Sequence, residues 1–189
     1  MTVLAGFRVL LNYQSTSGAS GSPPRQLPVG AAFALDGNRD TLIMFVHPKC
    51  PCTRASVEEL NRLLARCRGE VAAHVFFVKP SGFGEEWTHS DLWRTASAIP
   101  DVVIQEDPDG AQAHLFGAET SGDVVVFNPR GQLLFNGGIT SGRGHAGDNA
   151  GESAVASILA GKKTPTRETP VYGCSLFGQC TAASAPNAK

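Results

Sequence analysis

Residues 41–60 read Thr41-Leu-Ile-Met-Phe-Val-His-Pro-Lys-Cys-Pro-Cys-Thr-Arg-Ala-Ser-Val-Glu-Glu-Leu60, and they decide the fold. The run from Thr41 to His47 is apolar and of β type, which is typical of a strand buried on both faces. From Cys52 to Cys67, apolar residues recur at helical spacing, so the pattern predicts an amphipathic helix. The stretch therefore predicts a strand followed directly by a helix, with two cysteines at the junction.

The rest of the chain continues this alternation. We predict strands at 71–78, 101–105, 123–127 and 132–135, and helices at 87–98, 109–116 and 148–159. Asn128-Pro-Arg-Gly131 is a hairpin turn signal between the last two strands. The order β-α-β-α-(β-α)-β-β-α predicts an α/β fold with a mixed central sheet and helices on both faces.

Both ends of the chain differ in composition from this middle part. Residues 1–28 join an apolar start to a Ser/Gly/Pro-rich linker. They are interpreted either as a short element packed on the domain or as the remnant of a membrane anchor. Residues 29–163 are predicted to form the α/β domain, and residues 164–189 a tail that contains Cys174 and Cys180.

The net charge and the number of cysteines exclude some of the functions that a chain of this length could have. The 189 residues include 16 Lys and Arg against 17 Asp and Glu, for a formal net charge of −1 at pH 7. Nucleic-acid binding needs a clustered cationic surface, so we expect no nucleic-acid partner. The five cysteines are too few for a disulfide-built scaffold of this length, and their uneven spacing favours chemistry.

The Cys50-Pro-Cys52 motif lies at the predicted start of the first amphipathic helix. Unpaired N–H groups and the helix dipole favour a thiolate at this position, and Lys49 adds a neighbouring cation. A thiolate at Cys50 would attack a disulfide, and Cys52 would then attack the mixed disulfide. Because one residue separates the cysteines, a Cys50–Cys52 disulfide closes a tight and easily reduced ring, and Pro51 stiffens that turn.

The string from Phe45 to Leu60 resembles the active-site strand, motif and first helix of the thioredoxin-like superfamily, and within it the RedB-like, TlpA-related branch. The resemblance covers about residues 41–174. It implies a thioredoxin fold and thiol–disulfide exchange with a dithiol or disulfide partner protein, in cell redox homeostasis, without a bound cofactor. It also implies a periplasmic or otherwise extracytoplasmic location, with a membrane tether if an anchor precedes the chain.

Two departures from the thioredoxin pattern concern the site. Thr53 stands where the resolving cysteine of a Cys-x-x-Cys motif is expected, so Cys52 is displaced by one residue. Gly122, after Ser121, stands where thioredoxin-like proteins usually carry a cis-proline that faces the motif. The resolving role of Cys52 is therefore inferred, and metal binding at the cysteines stays open.

The candidate site contains two catalytic cysteines, Cys50 and Cys52, and a set of supporting residues: His47, Pro51, Thr53, Arg54, Ser121, Gly122, His145 and Cys174. His47 would bias the ionisation of Cys50, or be a hydrogen-bonded histidine at a strand end. His145 belongs to the Gly-hinged segment 142–147, which is either an ordinary loop before a helix capped near Asp148 or a loop beside the cysteines. Cys174 either forms a structural disulfide with Cys180 or serves as a third redox partner.

Three functional classes remain for a protein with these residues. Thiol–disulfide exchange is favoured, and it needs no organic cofactor. The alternative is a copper carrier resembling SCO proteins, with Cys50, Cys52 and His47 or His145 as ligands. A peroxidase of peroxiredoxin type is disfavoured, because His47 stands where that chemistry needs a hydroxyl residue.

Overall fold

A computed structural model describes residues 2–178, with side chains from residue 6 onward. Its helices are α1 (Thr2–Ser15), α2 (Thr53–Arg66), α3 (Asp91–Ser97), α4 (Ala111–Leu115) and α5 (Ala150–Leu159). Its strands are β1 (Asp40–Val46), β2 (Val71–Lys79), β3 (Val102–Pro108), β4 (Asp123–Phe127), β5 (Leu133–Gly138) and β6 (Glu168–Thr169).

The six strands form one mixed sheet in the order β3-β2-β1-β4-β5-β6. β1 pairs in parallel with β2, and β2 in parallel with β3. β4 runs antiparallel to both β1 and β5, and the short β6 pairs in parallel with β5. The predicted α/β fold with a mixed central sheet is confirmed.

The central strand β1 and the helix α2 place the cysteines. Six of the seven β1 residues are buried, as a strand with a hydrogen-bonded neighbour on each side and a core on each face requires. One core contains apolar side chains of α2, α3 and α5, and the other contains side chains of α4 together with Leu27 and Phe33. Because β1 ends under α2, the connection between them lies at the carboxyl edge of the sheet.

Two predicted helices begin later in the structure, and one observed strand was not predicted. The helix predicted at 87–98 begins at Asp91, because the Ser90 side chain accepts the Trp93 N–H, and Glu85–Trp87 forms a separate 3₁₀ turn. The last helix begins at Ala150, because the Asn149 side chain accepts the N–H of Glu152. The strand β6 was not predicted, since its two residues carry no periodicity.

The two ends of the described chain approach the domain differently. α1 is helical, but its side chains from Phe7 to Leu11 are exposed, and contacts are made by its last turn, where Gln14 O accepts the Arg143 N–H. No helix within residues 2–178 is long and apolar enough to cross a membrane. The described part of the predicted tail, residues 164–178, packs on the domain through the buried side chains of Val171 and Leu176.

Candidate functional site

Cys50 lies in the turn between β1 and α2, and Cys52 is the residue before α2. The Cys50 N–H donates to His47 O at 3.0 Å, which closes the turn. Cys52 occupies the helix cap without a side-chain capping bond. The two cysteines are only 3% and 7% exposed. The predicted pair therefore lies at the amino end of the helix, where backbone N–H groups favour a thiolate.

Several donors converge on the Cys50 sulfur. The Cys174 N–H donates to Sγ at 3.3 Å. Hydrogen bonds with the side chains of Cys174, Cys52 and Thr53 also act on this sulfur. Together they hold the pKa of the Cys50 thiol far below its ordinary value, although burial opposes them. The hydrogen-bond donors therefore favour the thiolate form of Cys50.

The pKa of Cys52 moves the other way. A hydrogen bond with the Cys174 side chain lowers it, and the positive charge of Arg143 adds to that effect. Hydrogen bonding to Cys50, burial and the Cys50 charge together outweigh both, so the pKa of Cys52 is raised. The two sulfurs therefore form an unequal pair, a nucleophilic thiolate beside a protonated thiol.

Thr53 and Ser121 form a short hydrogen-bonded chain under the thiolate. The His47 N–H donates to Ser121 Oγ at 2.8 Å, and the hydroxyls of Ser121 and Thr53 are 2.7 Å apart. Either hydroxyl of this pair can donate to the other, and a hydrogen bond with the Thr53 side chain lowers the pKa of Cys50. Thr53, which stands where a resolving cysteine was expected, thus contributes to the low pKa of that thiol.

Gly122 closes the loop that faces the motif. Its N–H donates to Phe45 O at 2.8 Å, and its φ of +93° is one that proline cannot adopt. A Cβ at this position would lie 2.7 Å from Ser56 Oγ. The loop is therefore held by glycine where the related pattern has proline, and all peptide bonds of the described residues are trans.

Cys174 reaches the motif across 124 residues of sequence. The Ser121 N–H donates to Cys174 O at 2.8 Å, so the segment lies against the loop before Gly122. Cys50, Cys52 and Cys67 are free thiols. Cys180 and the predicted Cys174–Cys180 disulfide lie outside the described residues. The interpretation of Cys174 as a neighbour of the redox pair agrees with this geometry.

The side chains of His47 and Lys49 lie beside the cysteines, and each has a further contact. The His47 Nδ1 accepts the Lys49 N–H at 3.2 Å. Burial lowers the pKa of His47, although the Cys50 charge raises it, so the ring is neutral at pH 7. The Lys49 ammonium lies over the Trp87 ring, 5.3 Å from its centroid. The expected cation beside Cys50 is thus directed to an aromatic ring.

The remaining predicted site residues are exposed at the protein surface. Pro51 and Arg54 are exposed beside Cys50, in a shallow cleft that also contains Asp91. His145 is exposed on its loop, where its N–H donates to Gly142 O. Within the described part of the chain, no group of three or more His, Cys, Asp and Glu side chains is placed to hold a metal. The alternative ligand set of Cys50, Cys52, His47 and His145 stays a prediction from the sequence.

Two contributors were not among the predicted site residues. Arg143 donates from Nη1 to Gly173 O at 2.5 Å, and its charge acts on Cys52. This arginine belongs to the segment 142–147, whose sequence does not indicate its partner. Trp87, with Phe83 and Phe177, lines a cleft of about 650 Å³ that adjoins His47. These aromatic residues come from distant segments, so no local pattern relates them to the cysteines.

Comparisons with known proteins concern the fold. No family model and no curated protein matches the chain significantly. An uncharacterized conserved protein from Geobacillus kaustophilus is 18% identical with a TM-score of 0.61, over 89% of this chain and 95% of that one. Hypothetical protein SMc02350 from Sinorhizobium meliloti 1021 is 18% identical with a TM-score of 0.60, over 89% and 99%.

A thioredoxin-like protein solved in its oxidized form is also 18% identical, with a TM-score of 0.51, over 74% of this chain and 97% of that one. A sequence identity of 18% supports a shared fold and does not show a shared chemistry. The RedB-like branch stays a prediction of the residue string. With the mixed sheet and the cysteines at the start of α2, these likenesses show that the chain has a thioredoxin-like fold.

Proposed function

We propose that this protein is a thiol–disulfide oxidoreductase that acts on a dithiol or disulfide partner protein through Cys50 and Cys52. One observation carries the proposal: the buried Cys50 sulfur, just before the amino end of α2, accepts the Cys174 N–H at 3.3 Å, and hydrogen bonds with the side chains of Cys174, Cys52 and Thr53 lower the pKa of this thiol. A low thiol pKa at such a position is the property that makes a cysteine reactive toward disulfides near neutral pH.

The reaction uses the unequal pair. The Cys50 thiolate attacks one sulfur of a partner disulfide, and the other partner sulfur leaves as a thiolate. Cys52 then loses its proton and attacks Cys50, which releases the partner's second sulfur and forms the Cys50–Cys52 disulfide. The partner gains two electrons and becomes a dithiol, and the two cysteines of the motif lose them.

The experiment is reduction of a protein disulfide, such as those of insulin, by the full chain with dithiothreitol as electron donor. Cys50→Ala is expected to abolish catalysis, because it removes the attacking sulfur. Cys52→Ala is expected to accumulate a mixed disulfide between Cys50 and the substrate, detectable by mass spectrometry. Cys67→Ala is the matched control, since Cys67 lies at the opposite end of α2.

Two results would contradict the proposal, one for the attacking thiol and one for the resolving thiol. Full activity of Cys50→Ala would refute the chemistry itself. Full multi-turnover activity of Cys52→Ala would leave the nucleophile in place and show that another thiol resolves. The extracytoplasmic location and the membrane tether stay predictions from the sequence resemblance.

A further inference from the structure

Cys50 is a well-stabilised nucleophile that a partner protein cannot reach. Its side chain is 3% exposed, and the backbone N–H that lies on its sulfur comes from Cys174. An attacking thiolate and the disulfide sulfur must meet in line, which requires an open approach. Residues 173–176 therefore have to move before an external disulfide reaches Cys50.

These four residues, here called the covering strand, pair with the loop before Gly122. Ser121 N–H donates to Cys174 O at 2.8 Å, and Leu176 N–H donates to Glu119 O at 2.9 Å. Thr120 and Ser175 form the antiparallel bridge between these two bonds. The covering strand is thus added to an edge of the active-site loop by backbone pairing, which is how extended peptides bind to open edges.

Two further contacts hold the covering strand, one at each end. Arg143 Nη1 donates to Gly173 O at 2.5 Å, and the arginine is itself held by the bond from its Nε to Thr16 O at 3.0 Å. At the other end, the Leu176 side chain is buried in the core that contains Phe45. Gly173 lies so close to the loop that a Cβ there would overlap the Ser121 carbonyl oxygen. The position of the strand is therefore specific.

The pairing presents a thiol to the thiolate. The Cys174 side chain is hydrogen-bonded to Cys50 and also to Cys52. In this position it stands as the cysteine of a bound substrate would. Resting on the function proposed above, we propose that Cys174 is an internal substrate thiol, and that the oxidised protein stores its disulfide as Cys50–Cys174.

The step is an exchange without net oxidation. After a partner has been reduced, Cys50 and Cys52 share a disulfide. The Cys174 thiol loses its proton and its sulfur attacks Cys50, so the Cys50–Cys174 bond forms and the Cys50–Cys52 bond breaks. Cys52 leaves as a thiolate and takes up a proton. The exchange is favourable because it replaces the tight Cys-Pro-Cys ring with a much larger one.

The covering strand and a partner protein compete for the same approach to Cys50. Cys174 is therefore displaced while a mixed disulfide exists, and Cys52 resolves it. Once the partner has left, the covering strand returns and Cys174 takes the disulfide. The Cys50–Cys174 bond then fastens the covering strand over the site until a reductant opens it.

The test maps the disulfide of the full chain in a Cys180→Ser background. The reduced protein receives one equivalent of 4,4′-dithiodipyridine, free thiols are blocked with N-ethylmaleimide in acid, and tryptic peptides are analysed by mass spectrometry. The expected product links the peptide that contains Cys50 to the peptide that contains Cys174, with one maleimide on Cys52.

A Cys50–Cys52 disulfide as the sole product would contradict the role of Cys174 as an internal substrate, while the proposed function would stand. Failure of Cys50 to react with the reagent overturns both.

A second variant keeps every cysteine and moves the covering strand. In Gly173→Ala the added methyl overlaps the Ser121 carbonyl, whereas in the control Gly178→Ala it makes an ordinary contact with Ser175. Loss of two backbone hydrogen bonds is expected to raise the rate of Cys50 alkylation by iodoacetamide about tenfold, and to shift the disulfide toward Cys50–Cys52. A Gly173→Ala protein with the alkylation rate and disulfide of the control would contradict the proposal.

Discussion

Cys50 and Asp123 are two buried acids whose pKa values move in opposite directions. Their side chains are 3% and 1% exposed, so burial acts on both. Cys50 is surrounded by donors, led by Cys174, and its pKa falls far below its ordinary value. Neither Asp123 oxygen has a well-aligned hydrogen bond in the described structure, and burial raises its pKa to about 7. The difference teaches that the donors around a buried acid, and not its depth, set the direction of the shift.

The largest expected effect is loss of the thiolate itself. Reduced protein at pH 6 is expected to show the ultraviolet absorbance of one thiolate near 240 nm, because donors hold the pKa of Cys50 far below that pH. Cys50→Ser should abolish this signal. Cys67→Ser should leave it unchanged, since burial raises the pKa of Cys67 despite the opposing charge of Arg66. If the pH 6 signal disappears in Cys67→Ser, the thiolate is Cys67 and not Cys50.

Asp123 is expected to produce the next largest effect, on stability. Its pKa rises from 3.8 in the unfolded chain to about 7 in the fold. Its contribution to stability is therefore fully present below pH 3.8 and is lost as the pH rises through about 7. The loss amounts to about 4 kcal/mol of unfolding free energy. Denaturant unfolding between pH 4 and 8 measures it.

Asp123→Asn is the matched variant for that measurement, because the amide has nearly the same shape and no charge. Its unfolding free energy should lack the decline that the unaltered protein shows between pH 4 and 7. Parallel pH profiles for both proteins would mean that Asp123 is solvated or paired, and the contrast with Cys50 would fail.

Thr53→Val tests how much one hydroxyl donor contributes to the low pKa of Cys50. Valine keeps the shape of the buried side chain but removes a hydroxyl that donates to the thiolate. A hydrogen bond to a charged group contributes about 1.5–3 kcal/mol, so the midpoint of the 240 nm titration should move to higher pH. Thr53→Ser retains a hydroxyl and should stay near the original midpoint. Equal midpoints for Val and Ser would show that Thr53 contributes nothing.

Arg143→Gln is expected to have the smallest effect. It removes the donor to Gly173 O at one end of the covering strand, which costs about 1 kcal/mol of local stability. Amide hydrogen exchange at Cys174 should become about fivefold faster as local opening becomes easier. Arg130→Gln, at an exposed arginine in the turn between β4 and β5, is the control. Unchanged exchange in Arg143→Gln would show that the strand is held by its other contacts.

Sequence reasoning located much of the fold and the centre of the site. The run from Thr41 to His47 and the helical spacing after Cys52 correspond to β1 and α2 within a residue. Element boundaries were less accurate where a cap decides them, as at Ser90 and Asn149. Polar residues such as these fit a loop as well as a cap, so the local pattern does not distinguish the two.

The sequence by itself determined that two cysteines lie between a buried strand and an amphipathic helix, because residue periodicity and the helix end are local properties. Only the tertiary structure decided which groups surround the sulfur. Cys174 reaches Cys50, and Ser121 reaches Thr53, through backbone pairing between segments far apart in the chain. Backbone N–H and C=O groups are the same in nearly every residue, so such pairing leaves no signature in the sequence. The chemistry of Cys50 therefore depends on contacts that exist only in the folded chain.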